Sequence, residues 1–306
     1  MRVLVTGALG FIGYHLCVHM TDMGYEVFGI DNLSRGMADR LRIFRGHGVE
    51  VTLIDVRDLS ALTEYMLEVR PEAVIHLAAL ISVEESFEKP LLYEDVNVKG
   101  TISTVLASNK AGVWKFIYVS SAAVYGNPKY LPIDEEHPTI PLSPYGVTKL
   151  AGEYFSKMLF KGEGRTVILR LFNVYGPGQS PEYAGVITKF MERLMKGEPP
   201  VIYGDGEQAR DFIYITDVVE AIEKAVKVDV RDEVILNVGT GKPTTIKELT
   251  HKMIRVFGAD VEPVYAPPRK GDIRYSYANI GRAAVLKWVP KVSLDDGLRS
   301  LVYYMV

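Results

Sequence analysis

The spacing Gly7-x-x-Gly10-x-x-Gly13 lies between a short apolar run, Val3-Leu4-Val5, and a segment with helical periodicity. Glycines so placed let the backbone turn tightly and approach a pyrophosphate, which then sits at the positive end of a helix. Among 27 glycines in 306 residues the spacing alone says little. Its strand–turn–helix setting says much more, because that setting belongs to a parallel strand–helix–strand unit. Asp31 closes the next apolar run, Val27 to Ile30. It falls roughly 20 residues on, where a carboxylate bonds the hydroxyls of an adenosine ribose and repels a 2′-phosphate. The pair of features predicts NAD binding and disfavours NADP; a solvated strand-end acid is the plainer alternative for Asp31.

Strand and helix patterns then alternate. The segment after Gly10 places Ile12, Leu16, Met20 and Met23 on one helical face, and Gly24 stops it. A third strand is expected from Val51 to Val56, then a helix from Asp58 to Val69 with Pro71 beyond its end. Further strands are expected at Ala73–Leu77, Lys115–Ser120 and Thr166–Phe172, with a helix from Pro144 to Phe160. The strands read as continuous apolar runs, so helices should cover both faces. The prediction is an α/β fold: a doubly wound parallel (Rossmann) sheet with a smaller α/β C-terminal substrate lobe. Residues 1–173 would form the cofactor domain, with the chain returning to it over roughly 208–240, and 174–306 the lobe. In the lobe Thr216 is expected to cap one helix and Thr245-x-x-Glu248 to open another as a capping box.

Composition narrows the function. A net charge of −3 disfavours a duplex nucleic-acid binder. The single cysteine, Cys17, leaves no disulfide framework and no thiolate-rich metal site, so no metal is expected. No run approaches the roughly 18 apolar residues of a membrane span. The apolar run before Gly7 is too short for a signal segment. A reducing, cytoplasmic setting is expected. Only Gln179 and Gln208 represent glutamine, a weak hint of thermophily.

Several residues carry candidate chemistry. Asp55-Val56 ends the third predicted strand, where an adenine ring would lie. Leu77-Ala78-Ala79 ends the fourth, where small residues permit close packing against a cofactor. His76, inside the same buried run, reads better as a hydrogen-bonded core histidine than as a base. Tyr-x-x-x-Lys occurs twice. Tyr125-Gly-Asn-Pro-Lys129 cannot be helical. Tyr145-Gly-Val-Thr-Lys149 opens a helical segment, which puts both side chains on one face, a turn apart. A nearby ammonium and an oxidised nicotinamide would stabilise a phenolate and move the phenol toward neutrality. Ser121, at the end of the fifth strand, could bridge a substrate oxygen and that phenol, or could simply cap a turn.

These residues, with Thr6-Gly7-x-x-Gly10-Phe11-Ile12-Gly13, Asp31-Asn32, Ser120-Ser121-Ala122-x-Val124-Tyr125-Gly126, Arg170-Leu171-Phe172-Asn173-x-Tyr175-Gly176-Pro177 and Arg210-Asp211-Phe212, resemble the extended short-chain dehydrogenase/reductase superfamily. Within it the chain is most similar to the UDP-glucose 4-epimerases. The resemblance implies tightly held NAD, a UDP-sugar substrate, and Ser121, Tyr145 and Lys149 as catalytic residues. It implies that Phe11, Ile12, Asn32, Ser34, Gly36, Asn97 and Phe172 touch NAD. It also implies that Asn173, Val201, Tyr203, Arg210, Arg269 and Asp272 hold the nucleotide part of the substrate, and that Ser276 borders the C2 substituent of the sugar. Arginines suit a diphosphate because their planar forks bond it bidentately; for Arg210 the plainer alternative is an ion pair with Asp211 or Asp205. A homodimer is implied as well, through a helix near Leu91 to Ala107 and the Tyr145 helix, with Leu150, Tyr154, Met158 and Leu159 available for burial.

The same comparison separates neighbouring activities. Ser121-Ala122-Ala123 holds no carboxylate, against a 4,6-dehydratase, and Asp31 argues against an NADPH-dependent reductase. Ile81 stands where many bacterial relatives carry lysine, which affects a cofactor-phosphate contact and not the reaction. N-acetylhexosamine and uronate epimerases remain alternatives, with no dedicated partner for a uronate carboxylate in view. A non-catalytic NAD sensor is the alternative from another class.

Overall fold

The computed structural model describes residues 1–180, 185–230, 232–269 and 271–303. Its large sheet contains β1 (Arg2–Thr6), β2 (Glu26–Asp31), β3 (Glu50–Leu53), β4 (Ala73–His76), β5 (Lys115–Ser121), β6 (Thr166–Leu171) and, after a long excursion, β10 (Val234–Val238). The seven strands run β10-β6-β5-β4-β1-β2-β3, each pair parallel. Side chains alternate between two buried cores, as the strand period requires. Val3, Val5, Ile117, Val119, Val167 and Leu169 enter one core, and Leu4, Phe116, Tyr118 and Ile168 the other. On the first face lie α1 (Phe11–Asp22), α2 (Arg40–His47) and α9 (Ile215–Lys227). On the second lie α3 (Leu59–Val69), α6 (Gly100–Lys110) and α7 (Pro144–Leu159), with α3 against α6 and α6 against α7. The short α4 (Val83–Glu88) and α5 (Pro90–Tyr93) precede α6, joined to it by a π-helical turn over Glu94–Lys99.

The lobe is built from smaller pieces. In one sheet β9 (Ala209–Tyr214) pairs with β7 (Asn173–Tyr175), β11 (Pro243–Thr245) and β13 (Tyr275–Ser276). In another, β8 (Val201–Tyr203) pairs with β12 (Val264–Ala266). Here α8 (Val186–Met195), α10 (Ile246–Phe257) and α11 (Leu294–Tyr303) pack around a core that includes Phe190, Phe212, Leu249, Met253 and Leu298. Of the segment expected to return to the cofactor domain, α9 packs on α1 and β10 joins the large sheet, whereas β9 belongs to the lobe.

Some local expectations need correction. Strand β3 stops at Leu53, short of the expected Val56: the Ile54 N–H bond to the Asp31 carbonyl (3.1 Å) is the last rung of its pairing with β2, which itself ends at Asp31. The buried stripe of α1 is Gly13, Leu16, Cys17 and Met20, while Met23 lies past the helix end and is exposed. Thr216 is not a cap: β9 runs straight into α9, so the extended residue at the boundary is Tyr214, and Thr216 falls within the first turn. Thr245 does cap α10, accepting from Glu248 N–H (3.0 Å).

Candidate active site

In doubly wound sheets ligands settle beyond the carboxyl ends of the strands where the strand order reverses. Here that point lies between β1 and β4. Gly7 turns the chain out of β1 with φ +69°, and a Cβ on it would lie 2.9 Å from the backbone nitrogen of Ala78. A Cβ on Gly13 would lie 2.1 Å from the Gly7 carbonyl oxygen, so only glycine lets α1 sit this close to the loop. Helix α1 starts at an extended Gly10 that supplies no side-chain cap. Its first N–H groups are therefore available to an anion, and the cradle fits a dinucleotide pyrophosphate.

Asp31, at the end of β2, is 8% exposed. One carboxylate oxygen accepts from Leu9 N–H (3.0 Å) and the other from Leu33 N–H (2.8 Å), which ties the glycine loop to the following turn. Burial raises its pKa, and those backbone bonds and the Arg40 charge oppose the rise. With Asn32, Ser34, Gly36, Val56, Leu77, Ala78 and Ala79 it lines a cavity of about 100 Å³.

That cavity shares Gly7, Gly10, Leu77 and Ala79 with a larger one of about 380 Å³, also lined by Phe11, Ile12, Gly13, Ser121, Tyr145, Lys149, Phe172 and Asn173. Helix α7 is started by Ser143, which accepts from Gly146 N–H (3.1 Å), with Pro144 in the first turn. Tyr145 and Lys149 follow one turn apart. Burial raises the Tyr145 phenol, and the Ser121 hydroxyl facing it opposes the rise. The lowering expected from Lys149 is therefore not built into the protein alone; desolvation dominates. Lys149 is itself buried, with Nζ 4.5 Å from the centroid of the Tyr118 ring, and desolvation pushes its pKa down to about 7. Ser121 also takes the plainer role foreseen for it, accepting from Ala123 N–H (3.1 Å) at the start of a 3₁₀ turn.

Asn173 lines a third cavity too, about 410 Å³ in volume, with Val201, Tyr203, Arg210, Arg269 and Asp272. The three cavities thus form one cleft, from Asp31 past Tyr145 to the arginines. Arg210 donates to the carbonyls of Ala209 (2.9 Å) and Ile273 (2.6 Å) and pairs with Asp272. Its partner is thus neither Asp211 nor Asp205, and the Asp272 carboxylate expected on the nucleotide part of the substrate is engaged by Arg210. Asp205 pairs instead with Arg274, and Asp211 is buried, accepting from the backbone of Thr240, Gly241 and Ala278. The Arg269 guanidinium lies 4.1 Å over the Tyr203 ring.

Three expected contacts lie outside the cleft lining. Asn97 is buried: it accepts from Leu80 N–H (2.8 Å) and donates to Leu80 O (3.0 Å) and Thr148 Oγ1 (3.0 Å). It thereby fixes the chain after β4 against the residue preceding Lys149. Asp55 bonds Arg57 and Asn32, because the chain has already left β3. Ser276 lies in β13, in register with Arg210. His76 is the core histidine expected, bonded to Thr6 (2.8 Å) and Thr101 (3.0 Å) and held neutral by burial. The Tyr125 hydroxyl donates to Asn237 (2.6 Å) and the residue is buried, so the tyrosine of the non-helical Tyr-x-x-x-Lys serves packing. Sequence reasoning missed Arg40, which donates to the carbonyls of Leu9 (2.7 Å) and Gly178 (2.5 Å) at the cleft wall. Nothing in its local pattern points there. Arg35, in the loop Asn32–Gly36 that the resemblance assigns to NAD contact, donates to both Glu85 carboxylate oxygens (2.7 and 2.8 Å).

Residues 3–239 match the model of the NAD dependent epimerase/dehydratase family. A UDP-glucose 4-epimerase of Mycolicibacterium smegmatis is 39% identical, covering 99% of this chain and 98% of its own. A UDP-glucuronate 4-epimerase of Thermodesulfobacterium geofontis is 31% identical, covering 98% and 94%. Among solved structures, UDP-glucose 4-epimerase of Thermotoga maritima with UDP-glucose superposes with a TM-score of 0.92 at 38% identity, covering 100% and 98%. A UDP-N-acetylglucosamine 4-epimerase of Methanobrevibacter ruminantium, in complex with UDP-N-acetylmuramic acid, gives 0.91 at 35% identity, covering 99% and 97%.

Proposed function

We propose that this chain, which belongs to the NAD dependent epimerase/dehydratase family and has NAD as its cofactor, inverts C4 of a UDP-hexose, interconverting UDP-glucose and UDP-galactose. The observation that carries the reading is the continuity of the cleft. Tyr145 and Ser121 line its middle, between the glycine cradle with Asp31 and the chamber with Arg210 and Arg269.

When bound, NAD supplies the oxidation of the sugar at C4 and its reversal. Every other task falls to the protein. The N-terminus of α1 would hold the cofactor pyrophosphate and Asp31 the adenosine ribose. Tyr145 takes the proton of the 4-hydroxyl, directly or through Ser121, and returns it to the 4-oxygen once the other face of the sugar has been presented for reduction. The Lys149 ammonium, one helical turn away, stabilises the phenolate. Phe11, Ile12 and Phe172 line the same cavity and would pack against the cofactor. Arg210 and Arg269 fix the diphosphate, so the planar 4-keto sugar can turn about its phosphate linkage while the nucleotide stays in place.

A neutral sugar suits the middle cavity. Of its cations, Arg35 is engaged by Glu85, Arg40 by two carbonyls, and Lys149 stands beside Tyr145. Among the described cations of that cavity none is dedicated to a uronate carboxylate. The same reading includes a cytoplasmic homodimer that pairs the α5–α6 helix, from Leu91 to Ala107, and α7 across its two-fold axis. To test the activity, the protein with its NAD is incubated with UDP-glucose, UDP-galactose, the UDP-N-acetylhexosamine pair and UDP-glucuronate, and C4 configuration is read by NMR. Interconversion of the first pair is expected. Turnover confined to UDP-glucuronate would overturn the substrate, and NAD binding without any turnover would revive the sensor.

A further inference from the structure

Tyr145, Lys149 and Glu153 stand four residues apart along α7 and so share one face of the helix. The first two open on the cleft. Glu153 is 2% exposed and lies behind them, where the reaction just described gives it no part. Its side chain is nonetheless held at every point. One carboxylate oxygen accepts from Ser120 Oγ (2.5 Å) and Arg170 Nε (2.9 Å), and the other from Arg170 NH2 (2.7 Å). Arg170 is buried in β6, with its guanidinium 4.8 Å over the Tyr125 ring. Ser120 directly precedes Ser121 at the end of β5. A buried ion pair adds little to stability over a well-packed apolar pair of the same size, so its placement against the catalytic helix calls for a reason.

Resting on the epimerase reading, we propose that Glu153 is a positioning residue: its carboxylate is the counter-charge that keeps the Lys149 ammonium in the site, and its bond to Ser120 fixes the strand end that presents Ser121. The groups facing Lys149 support this. On its own helix stand Tyr145 and Glu153. From β4 comes His76, held neutral and pushed down to about 3 by burial and by the lysine charge. From β5 comes the Tyr118 ring, whose phenol burial keeps neutral. On the π-helical turn and α6, the uncharged Asn97 and Thr101 bond the neighbours of that lysine, Thr148 and His76. Arg170 stands behind Glu153. Among the described residues Glu153 is the carboxylate that raises the affinity of Lys149 for its proton, against a desolvation that lowers it.

The sign follows. Without that negative charge Lys149 gives up its proton at lower pH, and the alkaline limb of the rate profile moves toward acid. The test is kcat against pH for UDP-galactose with NAD-loaded full-length protein, as wild type, Glu153→Asp, Glu153→Gln and Glu153→Gln/Arg170→Gln. The double variant is included because Glu153→Gln alone leaves a buried guanidinium without its partner and can fail to fold. Glu153→Gln should move the limb by about one pH unit, roughly a tenfold loss of rate above it. The double variant should move it the same way but less, since a positive charge leaves too, and Glu153→Asp should restore it. Folded variants with a lowered melting temperature and an unmoved limb would make Glu153 a packing residue and overturn the proposal. Absence of turnover in wild type would instead strike the epimerase reading on which it rests.

Discussion

The two ends of the cleft are built to different standards. At the end proposed for the cofactor the walls are the tips of paired parallel strands, and clearances are so small that a methyl on Gly13 would overlap the Gly7 carbonyl at 2.1 Å. Asp31 there is locked by two backbone donors. At the end proposed for the nucleotide the walls are strands of two or three residues, β8, β12 and β13, and Arg269 is nearly half exposed. An oxidation and its reversal at one carbon need atoms held to a fraction of an ångström, and a deep parallel sheet supplies that. A diphosphate needs charge and planar donors, which tolerate looser backbone. A division of this kind places most of kcat at one end and most of KM at the other.

The largest expected effect is at Tyr145. Tyr145→Phe keeps the ring and removes the proton-transfer group, so kcat should fall about 10²- to 10⁴-fold with NAD content and melting temperature retained. Near-normal turnover would break the comparison outright. At the other end, Arg210→Met removes a donor fork while leaving bulk. A hydrogen bond to a charged group contributes about 1.5–3 kcal/mol, so KM should rise roughly 10- to 150-fold with kcat little changed. A fall in kcat as large as the rise in KM would mean that the arginine acts on the transition state, and the two ends would not be separable.

How much could be read in advance follows the same division. The glycine loop, Asp31 and the Tyr145–Lys149 pair are visible in sequence because each is a local pattern: a turn, a strand end, one turn of helix. Asn97 and Arg40 are not, because their partners lie elsewhere in the chain: Leu80 and Thr148 for one, Leu9 and Gly178 for the other. Thr216 misled because a cap is recognisable only when a loop precedes the helix, and β9 enters α9 directly. In the lobe, resemblance could nominate Arg210 and Asp272 separately. Only the fold shows them joined, with Arg210 also bonded to the carbonyl beyond Asp272.

A smaller effect is expected at Asp31. Asp31→Ala should weaken NAD binding roughly tenfold and narrow the preference over NADP, read by isothermal titration with each dinucleotide. The structure adds a complication, since alanine also leaves Leu9 and Leu33 N–H without their acceptor. Asp31→Asn keeps an acceptor oxygen and loses the charge. If the ribose contact matters, the asparagine variant should also lose discrimination against NADP. If only the alanine variant is affected, Asp31 is a fastener of the loop and the tight end of the cleft owes its selectivity to shape.

The smallest effect on catalysis is expected at the surface shared by α4, α5 and α7, and it tests whether the well-ordered end is also the end that assembles. Of the four residues named for burial on α7, Leu150 and Leu159 already pack inside the chain, which leaves Tyr154 and Met158, joined by Val147. The other expected helix runs unbroken from α5 through a π-helical turn into α6, which packs inward against α3 and α7. Its contribution comes from the first part, where Leu91 is 82% exposed, with Phe87 at 60% on α4. Met158 is 73% exposed. Large apolar side chains clustered on helices that touch one another mark an interface, and a two-fold axis would let each patch meet its own copy. Light scattering at micromolar concentration should give a dimer. Leu91→Glu/Met158→Glu should give a monomer that keeps NAD and loses little kcat, because neither side chain reaches the cleft. A wild-type monomer would refute the interface. A monomeric variant without activity would show that the cofactor end draws its order from the partner as well as from the sheet.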